Sequence, residues 1–109
     1  MDVCVLSRDL MFFTAVEGIA GAMGHRARQA ETLDAVGQPD LLIADFASAS
    51  IDAGALASAF DPMRTVVFAP HTLIDAFTSA RAHGLAGVFR RGALAAELPR
   101  LLTEYSAGT

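Results

Sequence analysis

The chain has no lysine and no tryptophan, a single cysteine, a single tyrosine, and no apolar run near the roughly 20 residues of a membrane span. Each shortage closes a class of function. All eight basic residues are arginine, so Schiff-base chemistry on a lysine and a lysine phosphate ligand are excluded. One cysteine, Cys4, rules out an internal disulfide and a cysteine-rich structural zinc site; within an apolar segment it reads as a small core residue. Without tryptophan, and with Tyr105 as the one tyrosine, little is available to stack on a flavin ring, and no Gly-rich nucleotide fingerprint is present. Basic residues are outnumbered by twelve acidic ones, and the net charge of -4 speaks against nucleic-acid binding, which needs a basic face. The N-terminus lacks a basic stretch followed by a long apolar core, so no signal peptide is expected and a cytoplasmic location is.

What is present is a folded domain. Hydrophobic residues make up 53% of the 109 and charged residues 18%, which suits a single domain over 1–109 with a well-buried core. The most telling stretch is Pro39-Asp40-Leu41-Leu42-Ile43-Ala44-Asp45-Phe46. A short unbroken apolar run fits a strand buried on both faces, as in a parallel sheet covered by helices. Asp45 ends that run, and ligands of such sheets gather beyond the carboxyl ends of the strands.

The rest of the chain alternates in the same way. Val3 to Leu6 reads as a first buried strand, and Ser7-Arg8-Asp9 as a turn whose Ser7 or Asp9 can cap a helix. Leu10, Phe13, Val16 and Ala20, broadened by Met11, Phe12 and Ile19, predict a helix over 10–23 that stops at Gly24. The polar segment Arg26 to Ala30 falls where a second strand belongs, and as a strand it belongs at an edge blunted by arginine. A short helix is expected over Thr32 to Val36. After the Leu41–Asp45 strand comes a helix over Ser48 to Phe60, with Ile51, Ala55 and Ala59 on one face beside Leu56 and Phe60. Thr65 to Ala69 is another buried strand, and Leu73 to His83 a helix with Leu73, Ile74, Phe77 and Ala80 inward. Gly87 to Arg90 is a last strand, and a helix opens at Gly92 and runs to about Tyr105. Pro99 within it is tolerable in the first turn and otherwise implies a kink. Five strand–helix units predict an α/β three-layer sandwich of flavodoxin-like strand order 2-1-3-4-5 with about five helices.

On two segments, Pro39 to Asp45 and Ala82-His83-Gly84-Leu85-Ala86-Gly87-Val88-Phe89, the chain resembles the receiver domain of bacterial response regulators over nearly its whole length. The resemblance implies that Asp45 matches the aspartate that takes a phosphoryl group from a histidine kinase. Receivers hold Mg²⁺ beside that aspartate with an acidic pair after the first strand, a hard cation on oxygen ligands that offsets the phosphoryl charge. Here the acidic pair falls on Ser7 and Arg8, with Asp9 one place further on. The family's hydroxyl falls on Ala69, with Thr72 beyond it, and its lysine on Arg91, followed by Gly92. The resemblance is to a degenerate receiver in which Arg8 can stand as a fixed counterion to Asp45, the plainer alternative being a strand-end carboxylate that pairs with Arg8 or Arg91 or caps the following loop.

Three functions stay open. One is a signalling module without Mg²⁺-dependent phosphotransfer, not an enzyme, that binds a protein or a second copy. The family's usual surface for this, its fourth helix, fifth strand and fifth helix, falls on Ala76 to His83 and Ala93 to Tyr105. A second is a working receiver in which Asp9 and Asp45 hold Mg²⁺ and Asp45 is phosphorylated. A third is an anion- or ligand-binding domain using Arg8, Arg90 and Arg91. Ser7, Arg8, Asp9, Asp45, Ala69 and Arg91 are the expected pocket. His71 lacks a nucleophile or metal partner spaced for acid–base work. His25 and His83 read as residues near helix C-termini. A IIB-type phosphotransferase component would place its cysteine at the end of the first strand before a glycine-bearing loop, whereas Cys4 is mid-strand and Ser7-Arg8-Asp9 has no glycine.

Overall fold

The computed structural model describes residues 1–47, 52–70 and 73–107. Five parallel strands form one sheet: β1 (Asp2–Leu6), β2 (Arg26–Ala30), β3 (Leu41–Asp45), β4 (Thr65–Ala69) and β5 (Gly87–Arg90). Their order across the sheet is 2-1-3-4-5. The expected flavodoxin-like architecture is therefore the observed one, and no helix among the described residues is long and apolar enough to cross a membrane.

Four α-helices are present among the described residues: α1 (Leu10–Ala22), α2 (Ala53–Ala59), α3 (Ile74–Ala82) and α4 (Leu94–Ala107). The fifth expected helix is a single 3-10 turn, Leu33–Ala35. The four residues between Thr32 and Gly37-Gln38-Pro39 are too few to nucleate and extend an α-helix. Consequently α3 and α4 occupy the places of the family's fourth and fifth helices. Two further 3-10 turns, Pro62–Arg64 and Arg91–Ala93, lead into β4 and α4.

Period-two alternation sends each central strand to both faces. Val3, Val5, Leu41, Ile43, Val66 and Phe68 meet α1 and α4, while Cys4, Leu6, Leu42, Ala44, Val67 and Ala69 meet α2 and α3. The layers that result are α1/α4, sheet, and α2/α3. β2 is the polar edge strand that was expected, and its side chains explain why it holds. Arg28 pairs with Asp2 at 3.3 Å and donates to the carbonyls of Ala35 and Val36, and Gln29 donates to the Ser7 carbonyl at 3.0 Å.

The helices bury less of their expected stripes than periodicity suggested. In α1, Phe12, Val16 and Ala20 are buried, but Leu10 and Met11 are 66% and 83% exposed because the first turn stands at the strand ends, past the sheet. Asp9 is the cap: its Oδ1 accepts from the backbone N–H groups of Met11 and Phe12 at 2.9 and 3.2 Å. α2 starts at Ala53, capped by Asp52, and buries Ala53 and Leu56 rather than Ala55 and Ala59. The expected start of this helix, Ser48 to Ile51, lies outside the described residues. In α3, Ala80 is buried and Phe77 half-buried, whereas Ile74 is exposed. Gly24 and Gly84 follow the ends of α1 and α3 with φ of 82° and 74°, a conformation that costs glycine little. Pro99 is the sixth residue of α4, beyond the first turn, so the helix lacks the bond to the Ala95 carbonyl there.

Candidate functional site

Alternation also decides what faces Asp45. Asp45 lies in register with Phe68, and Phe68 with Phe89, so all three project toward α1 and α4. Ser7 continues the Val3–Val5 row of β1, and Arg91 the Phe89 row of β5, on the same side. Arg8 and Ala69 belong to the opposite parity. The 3-10 turn at Arg91–Ala93 then brings the Arg91 side chain back across the strand ends.

Asp45 is fully buried, and both of its oxygens are engaged. Oδ1 accepts from the Ala47 backbone N–H at 3.0 Å; Oδ2 accepts from the Ser7 hydroxyl at 2.8 Å and from Arg91 Nη2 at 3.3 Å. The same Nη2 donates to Asp9 Oδ2 at 2.6 Å. One guanidinium nitrogen thus bridges two carboxylates. The Ser7 hydroxyl accepts from the Asp9 backbone N–H at 3.0 Å, which ties the turn to the site. The guanidinium also lies 4.9 Å above the centre of the Phe12 ring, close enough for a cation–π attraction.

The charge arrangement has a measurable signature at Asp9. The hydrogen bond from Arg91 first, and then the one from the Phe12 N–H, hold its carboxyl below the ordinary value of 3.8. Arg91 Nε, by contrast, is buried without a hydrogen-bond partner among the described residues, a cost of about 1 kcal/mol or more against the bridge.

Of the expected pocket, the fold gathers Ser7, Asp9, Asp45 and Arg91. Of the two arginines that could pair with Asp45, Arg91 does so at 3.3 Å, and Arg8 is exposed in the turn after β1. Ala69, at the hydroxyl position, is a buried methyl group in the α2/α3 core. Arg90 and Arg91 do not converge as an anion site, since neighbours in a strand point apart and Arg91 already sits on carboxylates. Phe12 was foreseen only as core or interface; its place under Arg91 was legible only from strand parity combined with the α1 cap. His71 and Thr72 lie outside the described residues. His83 caps α3 with its Nδ1 2.8 Å from the Ser79 carbonyl, and His25 follows α1 with Nδ1 3.4 Å from the Met1 amino group. Cys4 is buried, and burial pushes its thiol up to about 11.

Magnesium does not fit these residues. It needs carboxylate oxygens free to face it, and both carboxylates here turn their oxygens to protein donors, with a permanent cation between them. No group of three or more metal-ligating side chains occurs among the described residues.

No family model matches the sequence, and no curated protein matches it. Solved structures do. NtrX from Brucella abortus in complex with ATP superimposes with a TM-score of 0.72 at 22% identity, covering 98% of this chain and 28% of that one. A pilus assembly-related protein from Burkholderia pseudomallei matches with a TM-score of 0.70 at 16% identity, over 98% of this chain and 90% of that one. The receiver domain of a sensor histidine kinase from Pseudomonas aeruginosa, with magnesium in its active-site cleft, matches at 0.70 and 13% identity over 95% of each. The chain has the receiver-domain fold. It spans a little over a quarter of NtrX, so nothing of that whole protein's activity carries over. Within that fold, Asp45 ends β3, and the Arg91 bridge to Asp9 and Asp45 lies at the carboxyl ends of the strands.

Proposed function

We propose that this is a receiver-type signalling module, not an enzyme, that works by binding a protein partner or a second copy of itself, without Mg²⁺-dependent transfer of a phosphoryl group to Asp45. The observation that carries the reading is the bridge from one Arg91 nitrogen to both Asp9 and Asp45. A phosphoryl group arriving at Asp45 would need a dissociable cation to neutralise it and free carboxylate lone pairs to hold that cation. Here the cation is covalently fixed and the lone pairs are in use. Ala69 in place of a hydroxyl removes the family's further contact to the phosphoryl group. The contact surface would be α3, β5 and α4, the face that the resemblance assigns to partner binding, and a cytoplasmic setting suits it.

A second reading has one observation in its favour. Asp9 and Asp45 reach the same nitrogen, so displacing Arg91 would leave two carboxylates around one cation-sized position. In that case Asp45 would be phosphorylated by a histidine kinase. Incubation with Mg²⁺ and acetyl phosphate, read by intact mass, separates the two. The expected result is no mass gain; a phosphoryl adduct that disappears in Asp45→Asn would establish the second reading instead.

A further inference from the structure

Between α3 and the open edge strand β5 runs a concavity of about 370 Å³. Half-buried Phe77 and Val88 face each other there, Phe89 adds to the lining at the strand edge while its ring belongs to the α1/α4 side, and exposed Ile74, Arg81 and Arg90 stand around them. Arg28, Arg91 and Arg100 each pair with a carboxylate, whereas Arg81 and Arg90 make no ion pair or side-chain hydrogen bond among the described residues. On a chain of net charge -4, two uncompensated guanidinium groups share one groove of mixed polarity.

We infer that this groove docks an acidic segment of a partner protein, one that sets an apolar side chain against Phe77 and Val88 and carboxylates against Arg81 and Arg90. The inference rests on the module reading above and names its partner's chemistry. Guanidinium groups recognise carboxylates in fixed, often bidentate geometry, and apolar anchors supply the affinity that rim charges alone do not. A second copy is the poorer occupant. The acids on the outer side of α4, Glu97 and Glu104, are already held by Arg100 at 2.5 and 2.7 Å.

The test uses the full chain and three sets of fluorescein-labelled synthetic peptides of alternating charged and leucine or phenylalanine residues: an Asp/Glu set, its Asn/Gln counterpart and a Lys counterpart. The acidic set should bind and shift the amides of residues 74–81 and 87–90, and the other two sets should not. Arg81→Glu and Arg90→Glu should each weaken binding about tenfold with an unchanged thermal melt, and the double variant should abolish it. The inference falls if no acidic peptide binds more tightly than about 1 mM, if binding survives the double reversal, or if the shifts map elsewhere. A light-scattering mass that changes with Arg90→Glu, without peptide binding, would assign the groove to a second copy and leave the module reading standing. Acetyl-phosphate labelling of Asp45 would remove the module reading without touching the peptide result.

Discussion

The two faces of the sheet are built from different materials. Toward α1 and α4 the core uses Phe12, Phe68, four leucines of α4, and valines and isoleucine from the strands, with Ala20 as its one alanine. Toward α2 and α3 it uses Ala30, Ala44, Ala53, Ala69, Ala80 and Cys4 beside Leu6, Leu42, Leu56, Val36, Val67 and Leu85. Small side chains let helices lie close but bury less apolar area per contact, and α2 is only seven residues long. The site belongs wholly to the heavier face. Phe12 touches both the guanidinium of Arg91 and the ring of Phe68, whose centroid is 6.0 Å away, and Phe68 continues to Phe89 at 5.4 Å. The bulkier core thus serves two ends: it supplies most of the packing, and it provides the rigid bed on which a charged bridge can be held over a buried carboxylate.

The largest effect that could break this contrast is in the cores themselves. Phe68→Ala removes a fully buried ring with two aromatic neighbours and should cost about 4 kcal/mol, whereas Leu56→Ala on the lighter face should cost about 2.5 kcal/mol. Urea unfolding of both variants measures the difference. Equal losses, or a larger loss at Leu56, would mean that the alanine-rich face carries as much of the stability as the aromatic one.

The bridge comes next. Arg91→Met keeps an aliphatic stem over Phe12 but leaves the Asp45 carboxylate buried with only the Ser7 hydroxyl and the Ala47 N–H. Breaking a buried pair costs about 3–5 kcal/mol, but Arg91 is partly exposed and its Nε already goes unsatisfied, so about 2 kcal/mol is expected. Asp45→Asn in the Arg91→Met background should recover most of that loss, because it removes the uncompensated charge. A double-mutant cycle in which the two losses simply add would show that Arg91 does not act on Asp45.

How much of this was readable beforehand divides along the same line. All five strands were placed to within a residue, since β3 and β4 are continuous apolar runs bounded by Pro39, Asp45 and Thr65, and β5 is bracketed by Gly87 and the arginine pair. The edge position of β2 followed from its polarity. The layer toward α2 and α3 was read less well: alanine-rich helices carry little periodicity, so Leu56 was placed beside the packed face and is buried, but Ala55 and Ala59 were put on that face where Ala53 is the buried alanine. At the site, the sequence pointed to Ser7, Asp9, Asp45 and Arg91, and these four meet. For the cation the sequence left both Arg8 and Arg91 open, and Arg91 pairs with Asp45 because the turn after β5 folds its side chain back over the strand ends. Long-range contacts across 46 residues leave no local signature.

The smallest effect concerns the acidic limb of stability. Asp9 faces Arg91 and, through it, Asp45, and its carboxyl is held below 3.8 in the folded chain. A group whose folded value lies below its unfolded one stabilises the fold above the unfolded value, and that contribution fades as the pH drops through the folded one. Asp9→Asn is the sharpest probe, because asparagine caps helices about as well as aspartate and so removes the charge while sparing the cap. At about pH 6 the parent chain should unfold at a higher urea concentration than Asp9→Asn, and the gap should close as the pH falls below 3.8. Leu56→Ala, followed in the same buffers, should lose a constant increment, since it removes only apolar packing on the face that the bridge does not reach. A gap for Asp9→Asn that stays constant with pH would mean the carboxylate acts at the site only as a cap. The stability of the heavier face would then be packing alone, with no part carried by the charge bridge of Asp9, Arg91 and Asp45.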